Sequence, residues 1–288
     1  PYEYSRNGIT YQSANQFNNL GPNSYTIFTR DANGCMVSDN ITITEPQALS
    51  LKSEIRIDNN LCFGDSLGEI RILEVEGGVR PYEYSIDSGF TFGADSVFLD
   101  LPAGTYRTAI RDANGCIDFG GEQVINQPQK LRITNYGQID VSGCFGNENG
   151  QIFIEAGGGT GTKSYTLDSE TTNTSGIFSN VSGGQHLITI TDINLCTRDT
   201  LVDIDQPAEL TFTSINMTDV TGCPDSDNGV INAEAAGGTG SLVYSVDLGP
   251  GVDPGDFTGL AGGPHLITVT DDNGCTADSL VEVGAPLP

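Results

Sequence analysis

The stretch LPAGTYRTAIRDANGC, residues 101–116, places a strand pattern directly before a tight turn. Its counterpart HLITVTD, residues 265–271, alternates apolar and polar side chains with period two, as a half-buried strand does. The Asp-x-Asn-Gly that starts at Asp112 in the first stretch and at Asp271 in the second supplies residues that tolerate the left-handed backbone of a hairpin turn. Because helical periodicity is absent almost everywhere, the sequence predicts an all-β protein.

The turn recurs at a nearly fixed spacing, which predicts a tandem repeat. Its four copies end in cysteines that follow one another at intervals of about 80 residues, namely Cys35, Cys116, Cys196 and Cys275. A second series, Cys62, Cys144 and Cys223, recurs at the same interval. PYEYS at residues 1–5 also recurs at residues 81–85. We therefore expect one C-terminal half repeat and three full repeats, at 1–47, 48–128, 129–207 and 208–288.

A full repeat has the length and patterning of an immunoglobulin-like sandwich. The second repeat accommodates seven short strands, at 49–57, 69–76, 81–87, 90–92, 96–99, 105–112 and 116–126. Seven strands with frequent turns are typical of two sheets joined by Greek-key connections. Since each unit in a repeat array contacts its neighbours, we expect the sandwiches to stack head to tail as a rod.

Two aromatic positions recur and are expected to anchor the core. One resembles a tyrosine corner, whose side chain bonds to upstream backbone, and is occupied by Tyr25, Tyr106, His186 and His265. The other lies on the third predicted strand and is occupied by Tyr4, Tyr84, Tyr165 and Tyr244. Tyrosine suits such positions because it combines a large apolar ring with a hydroxyl that can reach a partner.

Composition excludes some classes of partner. Twelve Lys+Arg against 38 Asp+Glu give a formal net charge of −26, which disfavours nucleic acid and anionic lipid. No apolar stretch is long enough to span a bilayer as a helix, so we expect no membrane insertion by this segment. The chain opens at PYEYS without a signal peptide, which predicts a piece of a longer protein.

The combined motifs resemble the SprB-repeat family of Bacteroidetes surface proteins over the whole chain. In the second repeat they are Cys62-Phe63-Gly64, Gly68-Glu69-Ile70, Gly77-Gly78, residues 81–85, 101–106 and 112–116, and Gln127-Pro128. This resemblance implies a long, repetitive, extracellular adhesin at the cell surface. It also implies export by the type IX secretion system and, in some members, a part in gliding motility.

The cysteines predict disulfides in an oxidising compartment, with the pairing left open. Pairs within one repeat would be Cys62 with Cys116, Cys144 with Cys196 and Cys223 with Cys275. Strand counting places those partners at opposite ends of a strand of about 23 Å, whereas a disulfide needs Cα atoms within about 7 Å. Head-to-tail stacking instead favours pairs between neighbouring repeats. These would be Cys62 with Cys196 and Cys144 with Cys275, with the partners of Cys35, Cys116 and Cys223 in repeats outside this segment. Reduced thiols are the third alternative.

Metal and catalytic chemistry have weaker support. Asp225-Ser226-Asp227-Asn228-Gly229 resembles the start of a calcium loop, but the downstream Glu is out of register and turn chemistry explains the pattern. Both histidines occupy a position that holds Tyr in other repeats, which argues against a catalytic role. We therefore expect no enzyme activity and no cofactor, with calcium as a minor alternative.

Three functions fit the sequence. The first is a stalk or spacer in a surface adhesin or filament, which contacts neighbouring repeats of its own chain and identical chains in a fibre. The second is a module that binds surface polysaccharide, for which the less-explained aromatics Phe17, Phe90, Phe92 and Phe119 are the candidates. The third is a set of accessory domains attached to a secreted enzyme. We expect the first.

Overall fold

The computed structural model describes residues 1–223 and 226–286, and these residues form strands and no helix. The predicted all-β class is therefore confirmed. Contacts divide the chain into two compact units. The first comprises Pro1–Asn60 and Gly64–Gln127, and the second comprises Leu61–Phe63 and the chain from Pro128 onwards.

The first unit, all of whose residues are described, contains three sheets. The nine strands are β1 (Glu3–Ser5), β2 (Asn23–Arg30), β3 (Met36–Ile43), β4 (Ser50–Ile57), β5 (Gly68–Glu76), β6 (Glu83–Ser85), β7 (Val97–Leu101), β8 (Gly104–Arg111) and β9 (Ile117–Ile125). The sheet orders are β1-β2-β3, β4-β5-β7 and β6-β8-β9. All these pairs are antiparallel.

The described part of the second unit contains four sheets. Its strands are β10 (Arg132–Ile139), β11 (Gly150–Gly157), β12 (Ser164–Leu167), β13 (Thr171–Asn173), β14 (Ile177–Val181), β15 (Gly184–Thr191), β16 (Thr197–Ile204), β17 (Ala208–Thr218), β18 (Gly229–Gly238), β19 (Val243–Val246), β20 (Gly255–Leu260), β21 (Gly263–Thr270) and β22 (Thr276–Val283). The sheet orders are β10-β11-β14, β13-β12-β15-β16, β17-β18-β20 and β19-β21-β22.

Each full repeat divides its strands between two sheets in the same way. In the second repeat, the strands predicted at 49–57, 69–76 and 96–99 form one sheet. The strands predicted at 81–87, 105–112 and 116–126 form the other. The third and fourth repeats follow the same order. This distribution is that of an immunoglobulin-like sandwich, which confirms the predicted fold of the repeat.

Alternation along the strands builds the cores. In the third repeat Ile152 and Ile154 of one sheet and Ile188 and Ile190 of the other are buried in one apolar cluster. The fourth repeat has its own cluster around Ile231, Ile267 and Val269. Residues between them along each strand, such as Phe153, are more exposed, so the period-two pattern sorts side chains into core and surface.

One strand prediction was wrong. Residues 90–92 form no strand, and only an isolated bridge between Tyr84 and Gly93 is present there. The carboxylate of Asp87 accepts the backbone N–H of Thr91, and Gly89 has a φ of +80°, so the backbone turns at the point where a strand would run. The equivalent β13 of the third repeat does form and pairs with β12, and Thr166 and Thr172 hydrogen-bond across the pair at 2.9 Å.

Candidate functional site: the disulfide joints of the repeats

The Asp-x-Asn-Gly-Cys turn is organised by its aspartate. In the fourth repeat Oδ1 of Asp271 accepts the backbone N–H groups of Asn273 at 2.9 Å and Cys275 at 2.8 Å, and Oδ2 accepts that of Thr239 at 2.8 Å. Asp112 and Asp192 make the same three kinds of bond. Since both oxygens are occupied by backbone donors, the aspartate holds the turn that presents the cysteine.

Electrostatics agree with this role. Burial tends to raise the pKa of Asp271, but the N–H groups of Cys275, Thr239 and Asn273 outweigh it and hold that pKa below its usual 3.8. The pKa of Asp112 is likewise lowered, first by the N–H of Val79. Both carboxylates are therefore charged at neutral pH and are satisfied by backbone dipoles.

The second cysteine of each joint lies in a loop that the sequence also fixes. Oδ1 of Asn149 accepts the N–H of Ser142 at 3.0 Å, and its Nδ2 donates to the carbonyl of Ser142 at 2.9 Å. The N–H of Gly146 donates to Oε1 of Gln206, in the Gln-Pro that closes the repeat, at 3.2 Å. The Cys-x-Gly and Gln-Pro motifs are thus connected, and together they position Cys144.

Two disulfides join these elements. Cys144 bonds to Cys275 with a Cα–Cα distance of 5.5 Å, and Cys62 bonds to Cys196 with 5.6 Å. Both bonds lie within the second unit, to which the segment Leu61–Phe63 belongs. These are the pairs that head-to-tail stacking favours. The alternative pairs within one repeat are not formed.

Each disulfide is accompanied by a hydrogen bond from the asparagine of the turn. Nδ2 of Asn273 donates to the carbonyl of Gly143 at 3.2 Å, and Nδ2 of Asn194 donates to the carbonyl of Leu61 at 3.0 Å. In both cases the acceptor is the residue before the bonded cysteine. Sequence reasoning missed this contact, although the recurrence of Asn two positions before each turn cysteine was its signal.

An aromatic residue completes the joint. Phe145, next to Cys144, lines a cavity of about 380 Å³ together with Ala208–Leu210 and Cys275. Phe63, next to Cys62, lies with its ring centroid 5.9 Å from Nζ of Lys130, at the start of the following repeat. Each joint therefore has a covalent bond, a hydrogen bond and an aromatic residue next to the bonded cysteine.

Three cysteines remain as thiols, and all are exposed: Cys35, Cys116 and Cys223. The turns of Cys35 and Cys116 are nevertheless formed, because Asp31 and Asp112 accept the N–H of these cysteines at 2.9 and 2.8 Å. The cysteine turn thus reaches its geometry without a disulfide partner.

The predicted corner position makes the same backbone contact in all four repeats. The hydroxyls of Tyr25 and Tyr106 donate to the carbonyls of Gly21 and Pro102, both at 2.9 Å. Nε2 of His186 and Nε2 of His265 lie 3.0 Å from the carbonyls four positions upstream, those of Ser182 and Ala261. The tyrosines are half-buried and the histidines are buried.

The histidines add an ion pair that sequence reasoning missed. Nδ1 of His265 lies 2.6 Å from Oδ2 of Asp247, and Nδ1 of His186 lies 2.7 Å from Oδ2 of Asp168. Each imidazole thus lies between a carboxylate and a backbone carbonyl, which fixes the orientation of its ring. An Asp precedes each histidine at the same interval, which is the signal that could have revealed the pair.

The pKa values follow from this geometry. The hydrogen bond to the carbonyl of Ala261 raises the pKa of His265 above 6.5 against the effect of burial, with further contributions from Asp247 and Glu282. The hydrogen bond from His265 and the N–H of Leu266 lower the pKa of Asp247 below 3.8. The charged form of both side chains is therefore favoured when the pH lies above the pKa of Asp247 and below the pKa of His265.

The tyrosines on the third predicted strand lie in or near the core. Tyr165 and Tyr244 are buried, and their hydroxyls accept the N–H groups of Ala156 at 3.2 Å and Ala235 at 3.0 Å. Tyr4 and Tyr84 are half-buried.

The suggested calcium loop begins at Asp225, which lies outside the described residues together with Pro224. In the part that is described, Asn228 bonds to the backbone of Thr221 through both its side-chain atoms. The aspartates of the Asp-x-Asn-Gly turns likewise bind backbone N–H groups. Across residues 1–223 and 226–286, no three His, Cys, Asp or Glu side chains are grouped so as to hold a metal ion.

Fold and joints together define the class of this protein: tandem immunoglobulin-like repeats cross-linked by disulfides. Residues 55–91 match the family model described as the SprB repeat, which supports the family predicted from the sequence. The chain thus carries a repeat module of the surface-adhesin type, and its two disulfides indicate an extracellular or surface protein. Within the described residues, no helix is long and apolar enough to cross a membrane.

The solved structures reported below share little sequence identity with this chain. No match was found among curated proteins. Among solved structures, the insect immune protein hemolin is 11% identical, with 99% of this chain and 92% of that chain covered and a TM-score of 0.27. A tetra-tandem repeat from the extending region of a large adhesion protein is 12% identical, with 99% and 91% covered and a TM-score of 0.22. Domains 1–6 of the surface layer protein SbsC are 12% identical, with 100% and 50% covered and a TM-score of 0.23.

Proposed function

We propose that this chain is a non-enzymatic, force-bearing spacer in an extracellular adhesin at the cell surface. The observation that supports it is the order of the two disulfides along the chain. Cys62–Cys196 and Cys144–Cys275 enclose overlapping segments, because Cys144 lies inside the first loop and Cys196 lies inside the second. When the chain is pulled from its ends, the two disulfides of interleaved loops together limit how far the unfolded chain can extend.

The protection follows from the shortest covalent path. Between Cys62 and Cys275, that path crosses one disulfide, follows the chain between Cys196 and Cys144, and crosses the other disulfide. At about 3.3–3.6 Å per residue, a fully unfolded chain can extend by about 180 Å between these points. Without disulfides, the whole segment from Cys62 to Cys275 would extend to more than about 700 Å.

Single-molecule stretching tests the proposal. With handles at both termini, we expect reductant to lengthen the fully unfolded chain by about 500–600 Å. Replacing only Cys275 by Ser diverts the path through the segment from Cys196 to position 275, so the gain is only about 100 Å. Replacing only Cys62 by Ser diverts it through the segment from position 62 to Cys144, with a gain of the same size.

The double replacement of Cys62 and Cys275 should recover the full gain of the reduced chain. One intact disulfide still keeps most of the chain out of the stretched path. The length gains of the two single variants should therefore sum to far less than the gain of the double variant. Additive gains would contradict interleaved loops and, with them, the force-bearing function. Cys223→Ser, which removes an exposed thiol, is the matched control and should leave the length unchanged.

The family resemblance supports a finer version of the proposal. In it, the parent protein is exported by the type IX secretion system of a Bacteroidetes cell and serves in gliding motility or in surface filaments. Deleting the parent gene and scoring spreading and surface attachment tests this version. A deletion strain that glides and attaches as the wild type does would contradict it.

A second candidate function, polysaccharide binding, rests on an aromatic cluster of the second repeat. Phe90 is 88% exposed, while the guanidinium carbons of Arg111 and Arg107 lie 4.3 and 4.9 Å from the ring centroids of Phe92 and Phe119. Exposed rings beside arginines can stack on sugars. Binding to agar and cell-surface polysaccharides, with and without calcium, tests this candidate. Saturable binding that Phe90→Ala abolishes would favour it over a passive spacer.

A further inference from the structure

The second repeat places a polar cluster where the third and fourth repeats have an apolar core. Thr108, two positions after the tyrosine-corner residue, is fully buried, as are Ile188 and Ile267 at the same position. Gln123 pairs with the corner residue across the sheet, at a position that holds valine in the third and fourth repeats. Because a buried hydroxyl destabilises a core unless it is hydrogen-bonded, the second repeat must supply Thr108 with a partner.

Glu54 of β4 binds both polar side chains from the opposite sheet. The hydroxyl of Thr108 donates to Oε2 of Glu54 at 2.5 Å, and Nε2 of Gln123 donates to Oε1 at 2.7 Å. The backbone N–H of Gly121 also donates to Oε1, at 3.1 Å. One carboxylate therefore touches a hydroxyl of β8 and a primary amide of β9. These two groups are separated by no more than the span of that carboxylate and its two hydrogen bonds.

A β-bulge makes room for this cluster. The pairing of β8 with β9 shifts between Arg107 and Ala109, whereas the corresponding pairs of the third and fourth repeats continue without a shift. Opposite the shift lies Gly120, where a Cβ would be 2.0 Å from Oγ1 of Thr108 and 2.8 Å from Oε2 of Glu54. Only glycine leaves this space open, so the bulge keeps the hydroxyl in contact with the carboxylate.

The three side chains of the cluster are the components of an acyl transfer. A hydroxyl that donates to a carboxylate is arranged for activation as a nucleophile, and a primary amide can donate its acyl group with ammonia as the leaving group. Glu54 contacts both the hydroxyl that must lose a proton and the nitrogen that must gain one. The carboxylate can therefore take a proton at Oε2 and return one from Oε1.

We propose that Thr108 and Gln123 form an intramolecular ester, with Glu54 as the general base and general acid. Oγ1 of Thr108 attacks Cδ of Gln123, the bond between Cδ and Nε2 breaks, and the nitrogen leaves as ammonia after taking up the hydroxyl proton. The reaction balances without an oxidant or any other reactant. Its product joins β8 to β9 on either side of the Cys116 turn, within the first unit and apart from the disulfides of the second. Under load, the ester keeps these two strands from separating.

Mass spectrometry of the purified and reduced chain tests this inference. We expect the intact protein to weigh less than its sequence by the mass of one ammonia. Trypsin separates residues 108–111 from residues 112–130, so an ester between Thr108 and Gln123 should keep these two peptides attached. Thr108→Val, which keeps the shape of the side chain but lacks the hydroxyl, should restore the full mass and release the peptides separately. Thr105→Val, which removes an exposed hydroxyl from the same strand, is the matched control and should keep the link.

A further variant separates the ester from a hydrogen-bonded network. General-base catalysis contributes about 10²–10⁴-fold to a rate, so Glu54→Gln should slow formation of the link at least about a hundredfold. Freshly purified Glu54→Gln with the circular dichroism of the wild type should therefore give the two tryptic peptides separately. A link that forms in this variant at the wild-type rate would contradict the role of Glu54. Full mass in the folded wild type would overturn the inference, and so would an ammonia loss that maps to a succinimide at Asn114–Gly115.

Discussion

Removing the Cys144–Cys275 disulfide should destabilise the fourth repeat more than the substitution of an exposed, unpaired residue does. The bond closes a loop of 131 residues, for which the loop-entropy model gives about 5 kcal/mol at 25 °C. If the third repeat stays folded while the fourth unfolds, the flexible part is only about half as long, and the logarithmic dependence lowers the value to about 4.4 kcal/mol. Measured losses for such bonds are about 2–4 kcal/mol, which is the expected range here.

Guanidinium denaturation of Cys144→Ser, Cys275→Ser and the double variant measures this loss. The chain has no tryptophan, so far-ultraviolet circular dichroism and tyrosine fluorescence are the suitable probes. A loss of about 2–4 kcal/mol should lower the midpoint by about 1 M. Cys223→Ser, which changes an exposed unpaired thiol in the equivalent loop, should leave the midpoint within experimental error.

The double variant makes the prediction refutable. Either single substitution breaks the same bond, so the double variant should lose no more stability than one single variant does. If the losses of the single variants instead sum in the double variant, each side chain acts through its local packing. The reasoning from loop closure would then be wrong.

Two further predictions concern the fourth repeat. Because the pKa of His265 is raised above 6.5, its ion pair with Asp247 contributes stability that is present below pH 6.5 and lost as the pH rises through the folded-state pKa. Denaturation midpoints should therefore fall as the pH rises above 6.5 in the wild type but stay level in His265→Tyr, which places the residue of the first two repeats at that position. Gly237→Ala should cost about 3 kcal/mol or more, because a Cβ there would lie 1.9 Å from the carbonyl oxygen of Glu209 at a φ of +90°. Gly274→Ala, with a φ of +81° and no atom within 4 Å of its Cβ, should cost only the backbone strain of about 1–2 kcal/mol; equal losses in thermal unfolding would contradict the steric argument.

The sequence alone determined the features that depend on neighbouring residues. Strand identity follows from period-two alternation, as in 265–271, where His265, Ile267 and Val269 are buried. The turn follows from Asp-x-Asn-Gly, because Oδ1 of the Asp and the left-handed Gly act within one short turn, although Oδ2 bonds a residue 32 or 33 positions upstream. The contact made by Tyr106 and His265 at the tyrosine-corner position also depends only on nearby residues, since each side chain bonds to the carbonyl four positions upstream.

Only the tertiary structure decided which distant residues meet. The sequence left three states of the cysteines open, because a disulfide requires two Cα atoms to lie within about 7 Å, and the bonded partners here are 134 and 131 residues apart. The failed strand at 90–92 is instead a local effect, because Asp87 accepts the N–H of Thr91 and the backbone turns at Gly89. The ion pair of His265 with Asp247 depends on which partner a neighbouring strand places at hydrogen-bond distance, and alternation along one strand carries no information about that distance.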